Sequence, residues 1–192
     1  REYLLVAEEH RLDGFKQSIN STFGGDQQVA ALASNLIDYQ PNLQPVNHCW
    51  TANTQVSFCA KAYATVPSSH ADSAALTVLG GVLRNGYLHR TIREQGGAYG
   101  GGASQDNQSG AFRFYSYRDP RIEGTLTDFD DSIKWLMDKP LGGDSVEEAI
   151  LGVIGSMDKP ASPAGEAMQS FHGELNGRSK ASISEFRNRV LA

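Results

Sequence analysis

Arg93 and Tyr99 flank Glu94-Gln95-Gly96-Gly97-Ala98 midway along a chain of 192 residues, and Gly100-Gly101-Gly102 follows at once. Arginine offers a planar fork of donors, a tyrosine hydroxyl can donate to a developing negative charge, and glycines admit a backbone close to a ligand. Together they point to a site for an acyl or peptide group. The same residues also read as plain architecture. A cation is welcome at a helix C-terminus, a glycine pair just beyond it is an ordinary stop, and a strand tyrosine is commonly half-buried.

Other chemistries fail on order or spacing. A phosphate cradle or dinucleotide fingerprint needs strand, glycines and then a helix N-terminus, whereas here a helical pattern precedes Gly96 to Gly102 and a strand pattern follows. His10, His48, His70, His89 and His172 form no His-x-x-Glu-His motif in either direction and no i, i+4 pair, so no zinc site is assigned to this chain. Gly152-Val153-Ile154-Gly155-Ser156 lacks the glycine spacing of a nucleophile elbow. Cys49 and Cys59 form no Cys-x-x-Cys pair, and buried free thiols are expected. Asn20-Ser21-Thr22 and Asn107-Gln108-Ser109 match the glycosylation pattern by chance.

The elements that must carry Arg93 and Tyr99 follow from hydrophobic periodicity. A strand is expected at Tyr3–Ala7, then a helix bearing Leu12, Phe15 and Ile19 that ends at Gly24-Gly25. Residues 26–47, interrupted by Pro41 and Pro45, read as a surface connection. Trp50, Ala52, Thr54, Val56, Phe58, Ala60 and Ala62 alternate as the buried face of a strand that Pro67 ends. Ser69 is expected to cap the next helix, with Leu76, Leu79, Leu83 and Tyr87 as its buried stripe and Arg93 in its last turn. Gly80-Gly81 inside that helix costs about 1 kcal/mol per glycine relative to alanine, which close packing against a neighbour would offset.

Ala98–Ser104 and Ala111–Tyr117 read as an antiparallel hairpin. Helices follow. The first starts at Pro120 with Ile122, Leu126, Phe129, Ile133 and Leu136 inward, and the second starts on an Asp144–Glu147 capping box with Val146, Ile150, Ile154 and Met157 inward. Two shorter ones begin at Ser162-Pro163, with Met168 and Phe171, and at Ser182, with Phe186 and Val190. Strands and helices interleave without strict alternation, so the expected class is α+β, a two-layer sandwich of a mainly antiparallel sheet packed by helices.

Forty per cent of the residues are hydrophobic, twenty per cent are charged and the formal net charge is −5. That composition gives one globular domain over 1–192, without the basic stripe a nucleic-acid surface wants. No apolar run approaches the ~20 residues of a membrane span, so a soluble protein of the cytoplasm or an organelle matrix is expected. The absence of an initial methionine and the end at Ala192 within a helical pattern suggest a piece of a larger protein.

Leu83-Arg84-Asn85-Gly86-Tyr87-Leu88-His89-Arg90-Thr91-Ile92-Arg93-Glu94-Gln95-Gly96-Gly97-Ala98-Tyr99-Gly100, with the downstream Phe114-Tyr115-Ser116-Tyr117-Arg118-Asp119-Pro120, Asp158-Lys159-Pro160 and Ser162-Pro163, resembles the pitrilysin/insulinase family of zinc metallopeptidases, in its presequence-protease-like branch. The resemblance covers nearly the whole chain and points to the last domain of the C-terminal half. It implies a pitrilysin or mitochondrial-processing-peptidase-like domain that faces a chamber in which short unfolded peptides are hydrolysed. Zinc and its inverted motif would belong to the N-terminal half, which is then a partner of this domain, and the fragment alone would be inactive. Arg93 and Tyr99 match the family's arginine and tyrosine that reach the bound peptide, Tyr99 as oxyanion donor and Arg93 as carbonyl ligand. Gly97 and Ala98 are added as substrate-contact candidates, while Gly96, Gly97 and Gly100 shape the turn. The alternative is a non-catalytic peptide-binding or assembly subunit of the same fold.

Overall fold

The computed structural model describes residues 2–24, 44–138 and 140–192. In chain order it shows α1 (Glu9–Phe23), β1 (Ser57–Ala64), α2 (Ser73–Leu83), a π-helix (Arg84–Gln95), β2 (Gly100–Asp106), β3 (Ala111–Asp119), α3 (Glu123–Asp138), α4 (Gly143–Met157), α5 (Pro163–Leu175) and α6 (Lys180–Leu191). The chain divides into two compact units, one of Arg1–Val46 with Pro160–Ser179 and one of Asn47–Lys159 with Lys180–Ala192.

The smaller unit carries α1 and α5. Tyr3–Ala7 is irregular rather than a strand, because a strand needs a ladder partner and the sheet among the described residues is made of β1, β2 and β3 alone. Tyr3 instead stacks on Phe23 at the far end of α1, with ring centroids 5.6 Å apart. α5 begins as its sequence demands. Ser162 Oγ accepts the Gly165 N–H at 3.2 Å and Pro163 occupies the first turn, where its missing N–H is harmless. Of the connection expected over 26–47, residues 26–43 lie outside the described residues.

The larger unit is an α+β arrangement built on an antiparallel sheet of order β1-β3-β2. The hairpin β2–β3 forms, with β2 two residues later than the expected Ala98–Ser104, so that Ala98 and Tyr99 precede the strand. Its inner face sets Phe112 and Phe114 against Leu83, Leu88, Ile92 and Phe129, and the Phe114 and Phe129 rings lie 5.6 Å apart. β1 is shorter than its alternation suggests and turned over. Cys59 is buried, whereas Phe58 is 67% exposed and Ala60 and Ala62 are exposed. Alternation separates the two faces of a strand without saying which one is covered. The pairing Cys59↔Ser116, Lys61↔Phe114 and Tyr63↔Phe112 puts the odd positions on the phenylalanine side.

α2 lies between two cores, which explains its double glycine. Leu83 joins the sheet-side cluster and Ala74, Val78 and Val82 join a second one with Ala149 and Val190. A side chain on Gly80 would stand 3.0 Å from the Ala103 carbonyl oxygen, and one on Gly81 would stand 3.2 Å from the Ala149 methyl. Close packing therefore accounts for both glycines. The helix starts at Ser73, not Ser69, with Ser73 Oγ donating to the Ser68 and His70 carbonyls.

Three helical starts also differ from expectation. α3 begins at Glu123, and its face buries Thr125, Phe129 and Ser132 while Ile122 and Ile133 stay exposed. α4 is capped by the Gly142 backbone without a side-chain bond, so Asp144 lies inside the first turn rather than forming a capping box. α6 begins at Lys180, ahead of Ser182. Arg189 of α6 donates to the Ser68 carbonyl at 2.8 Å and the His70 carbonyl at 2.6 Å, fixing it to the loop that leads into α2.

Candidate functional site

α2 runs straight into the π-helix Arg84–Gln95, so Arg93 is delivered by π winding and not by the last turn of an α-helix. The inner side of the π-helix buries Leu88 and Ile92, next to Leu83 at the end of α2. Arg93 itself is exposed. The helix closes as the Gly97 N–H donates to the Arg93 carbonyl at 3.2 Å and the Ala98 N–H to the Ile92 carbonyl at 3.1 Å. Gly97 takes φ +81° there, a left-handed stop that glycine adopts without a Cβ clash.

Past the stop, Ala98 is buried in the sheet-side core and Tyr99 emerges, 63% exposed. The Tyr99 N–H donates to the Arg118 carbonyl at 3.3 Å. Its ring lies 5.6 Å from the Tyr117 ring at an interplanar angle of 55°, and the Arg118 guanidinium carbon is 5.9 Å from the Tyr99 ring centroid. Thus Tyr99 is held from the end of β3, and Tyr117 and Arg118 belong to the candidate site although residue types alone gave them no role. The readable signal was the aromatic alternation of Phe112, Phe114 and Tyr115-Ser116-Tyr117 running into Arg118-Asp119-Pro120.

The support behind these residues is polar, with the buried Arg121 Nε left without a hydrogen-bond partner. Asp119 is fully buried. Its carboxylate accepts the Thr125 hydroxyl at 2.7 Å and the Arg121 backbone N–H at 2.9 Å. Arg121 in turn donates to Asp128 at 2.8 Å and to the Thr91 carbonyl of the π-helix at 3.4 Å. Gly96 lies against the Arg121 guanidinium, where a side chain would collide with it.

By register, the sheet face away from the helices carries Phe58, Ala60 and Ala62 on β1, Tyr117, Tyr115 and Arg113 on β3, and Gly100 and Gly102 on β2. A shallow groove of about 500 Å³ on this sheet is lined by Ala60, Ala62, Ser104, Arg113 and Tyr115 among others. The glycines of β2 leave room for the β3 tyrosines. A side chain on Gly100 would stand 2.6 Å from the Tyr117 hydroxyl, and one on Gly102 would stand 3.3 Å from the Tyr115 hydroxyl.

The arrangement offers an exposed guanidinium and an exposed phenol at the two ends of one closed turn. Neither Arg93 nor Arg118 has a carboxylate partner among the described residues, which leaves their donors open to a ligand. His89 and Glu94 approach to 3.4 Å on the π-helix, but among the described residues no group of three or more His, Cys, Asp or Glu could hold a metal ion. These residues do not fit a zinc site. No helix of the described residues is long and apolar enough to cross a membrane.

Residues 47–192 match the family model of the PreP C-terminal domain. The mitochondrial presequence protease of Xenopus tropicalis is 36% identical over 179 residues, 92% of this chain and 17% of that protein. Those of Drosophila melanogaster and Kluyveromyces lactis are 38% and 41% identical, covering 78% and 66% of this chain and 14% and 13% of those proteins. The chain thus spans less than one fifth of the length of these relatives. A solved structure from Bordetella pertussis Tohama I, designated a zinc protease, matches the fold with a TM-score of 0.56 at 17% identity, over 69% of this chain and 78% of that one. Through its match over residues 47–192, the chain belongs to the PreP C-terminal domain family.

Proposed function

We propose that this domain presents Arg93 and Tyr99 to a peptide bound in a zinc-dependent endopeptidase that degrades short unfolded peptides in an enclosed chamber, with the N-terminal half of the same protein as its partner. The observation that carries the reading is the held yet exposed Tyr99, backed by Tyr117 and tied to Arg118. The mitochondrial presequence proteases among the relatives support peptide substrates and a mitochondrial setting.

In this reading Arg93 donates to a substrate carbonyl with charge assistance. Tyr99 donates its hydroxyl to the oxygen that gains negative charge as that carbonyl is attacked, a contact stronger in the transition state than in the ground state. Zinc supplies activation of the attacking water when bound elsewhere in the enzyme. Gly97 and Ala98 act through the backbone, since one has no side chain and the other is buried.

The test is peptide turnover by the full-length protein. Tyr99→Phe should lower kcat by about 10²-fold or more with KM little changed, the usual consequence of losing one oxyanion donor. Arg93→Ala should lower kcat/KM. Unchanged kinetics for both variants, with folding intact, would leave the domain a non-catalytic peptide-binding or assembly module.

A further inference from the structure

Arg118 has φ +50° and is the non-glycine residue with positive φ among the described residues. A left-handed arginine is strained, and such strain persists only where the surroundings over-determine it. Here they do. The next residue, Asp119, is fully buried and bonded to both Thr125 and the Arg121 backbone, while the Arg118 carbonyl accepts the Tyr99 N–H. Those bonds explain the backbone but not the side chain, because a glycine would adopt the same conformation without strain.

The side chain reaches the Tyr99 ring, 5.9 Å from guanidinium carbon to centroid, within the range of a cation–π contact. It has no carboxylate competing for it among the described residues. Tyr99 is mostly exposed, so without lateral contacts its phenol would sweep a wide arc, whereas a donor to a reacting oxygen must hold its place to within about 0.5 Å.

Building on the reading of Tyr99 as a donor to substrate, we infer that Arg118 is a positioning residue. Its guanidinium over the Tyr99 ring, together with Tyr117, holds the phenol hydroxyl where the peptide carbonyl is bound. It acts through Tyr99 and not by contact with the reacting atoms.

The experiment compares Arg118→Gly and Arg118→Lys in the full-length protein, each in the native and the Tyr99→Phe background, with thermal unfolding alongside. Arg118→Gly keeps the backbone and loses the guanidinium. It should lower kcat about tenfold with KM within about twofold, Arg118→Lys should recover most of that loss, and in the Tyr99→Phe background Arg118→Gly should change kcat less than about twofold. The ring signals of Tyr99 in ¹³C-tyrosine-labelled protein should move with Arg118→Gly and stay near their native place with Arg118→Lys. An unchanged kcat for Arg118→Gly, a loss that multiplies fully with that of Tyr99→Phe, or ring signals indifferent to the guanidinium would overturn the inference. If Tyr99→Phe alone leaves kcat unchanged while the ring signals respond to Arg118→Gly, the donor reading of Tyr99 fails and the contact itself stands.

Discussion

The Tyr117 ring fills the space that any side chain on its cross-strand partner Gly100 would need. An added Cβ would stand 2.6 Å from the phenol oxygen and 2.7 Å from two ring carbons. Tyr117 in turn backs the Tyr99 ring, so the glycine, although it is the next residue in the chain, bears on the Tyr99 side chain through Tyr117.

Gly100→Ala should therefore push Tyr117 aside. The stability loss is expected at about 1 kcal/mol, the low end for overpacking, because Tyr117 is partly exposed and has somewhere to go. Gly102→Ala meets Arg84 and Tyr115 only at 3.2–3.3 Å and should cost less. Thermal unfolding ranks the two variants. The accompanying fall in peptide turnover should be specific to Gly100→Ala, and equal effects on turnover would separate Gly100 from the placement of Tyr99.

Asp119→Ala removes the acceptor of two hydrogen bonds in a site with no exposure. Each buried donor left unsatisfied costs about 1–3 kcal/mol, so Asp119→Ala should destabilise clearly more than Thr125→Val, which removes only one of the bonds. Denaturant titration measures both. The reverse order would place the main support of the β3–α3 corner elsewhere.

Asp106 gives the hairpin a pH dependence. Its carboxylate accepts the backbone N–H groups of Gln108 at 3.0 Å and Ser109 at 3.3 Å, and the Gln108 bond first, then Ser109 and the Arg113 charge, hold its pKa below the ordinary carboxylate value. A lowered folded-state pKa means that the contribution is fully present above about pH 4 and fades as pH falls through the lowered value. Asp106→Asn should flatten that part of the acid unfolding profile. A profile identical to that of the native protein would exclude this carboxylate as its source.

The two thiols should react very differently. Cys49 is exposed and Cys59 is buried, and burial chiefly raises the Cys59 pKa, so little thiolate forms there near neutral pH. An alkylating reagent should label Cys49 quickly and Cys59 only on unfolding, with mass spectrometry of digested protein as the readout. Rapid labelling of Cys59 in folded protein would contradict its burial in the sheet-side core.

The glycine stop and the hairpin around the candidate residues were legible in the chain itself because their signals are local. A basic residue before Gly96-Gly97, a tyrosine after it and an alternating hairpin behind all follow from short-range backbone preferences. The double glycine in α2 likewise announced close packing, though not its partners Ala103 and Ala149. The strand expected at Tyr3–Ala7 failed for the opposite reason, since its existence depends on a distant ladder partner.

The amino-acid sequence by itself determined which elements form around Arg93 and Tyr99, and residue similarity over 47–192 determined the family. Tertiary structure alone decided which face of β1 is covered, that Arg93 comes on a π-helix, and that Asp119 is buried next to a left-handed Arg118 whose guanidinium reaches the Tyr99 ring. Those outcomes hang on contacts between residues far apart in the chain, where strand register and core packing outweigh local propensity.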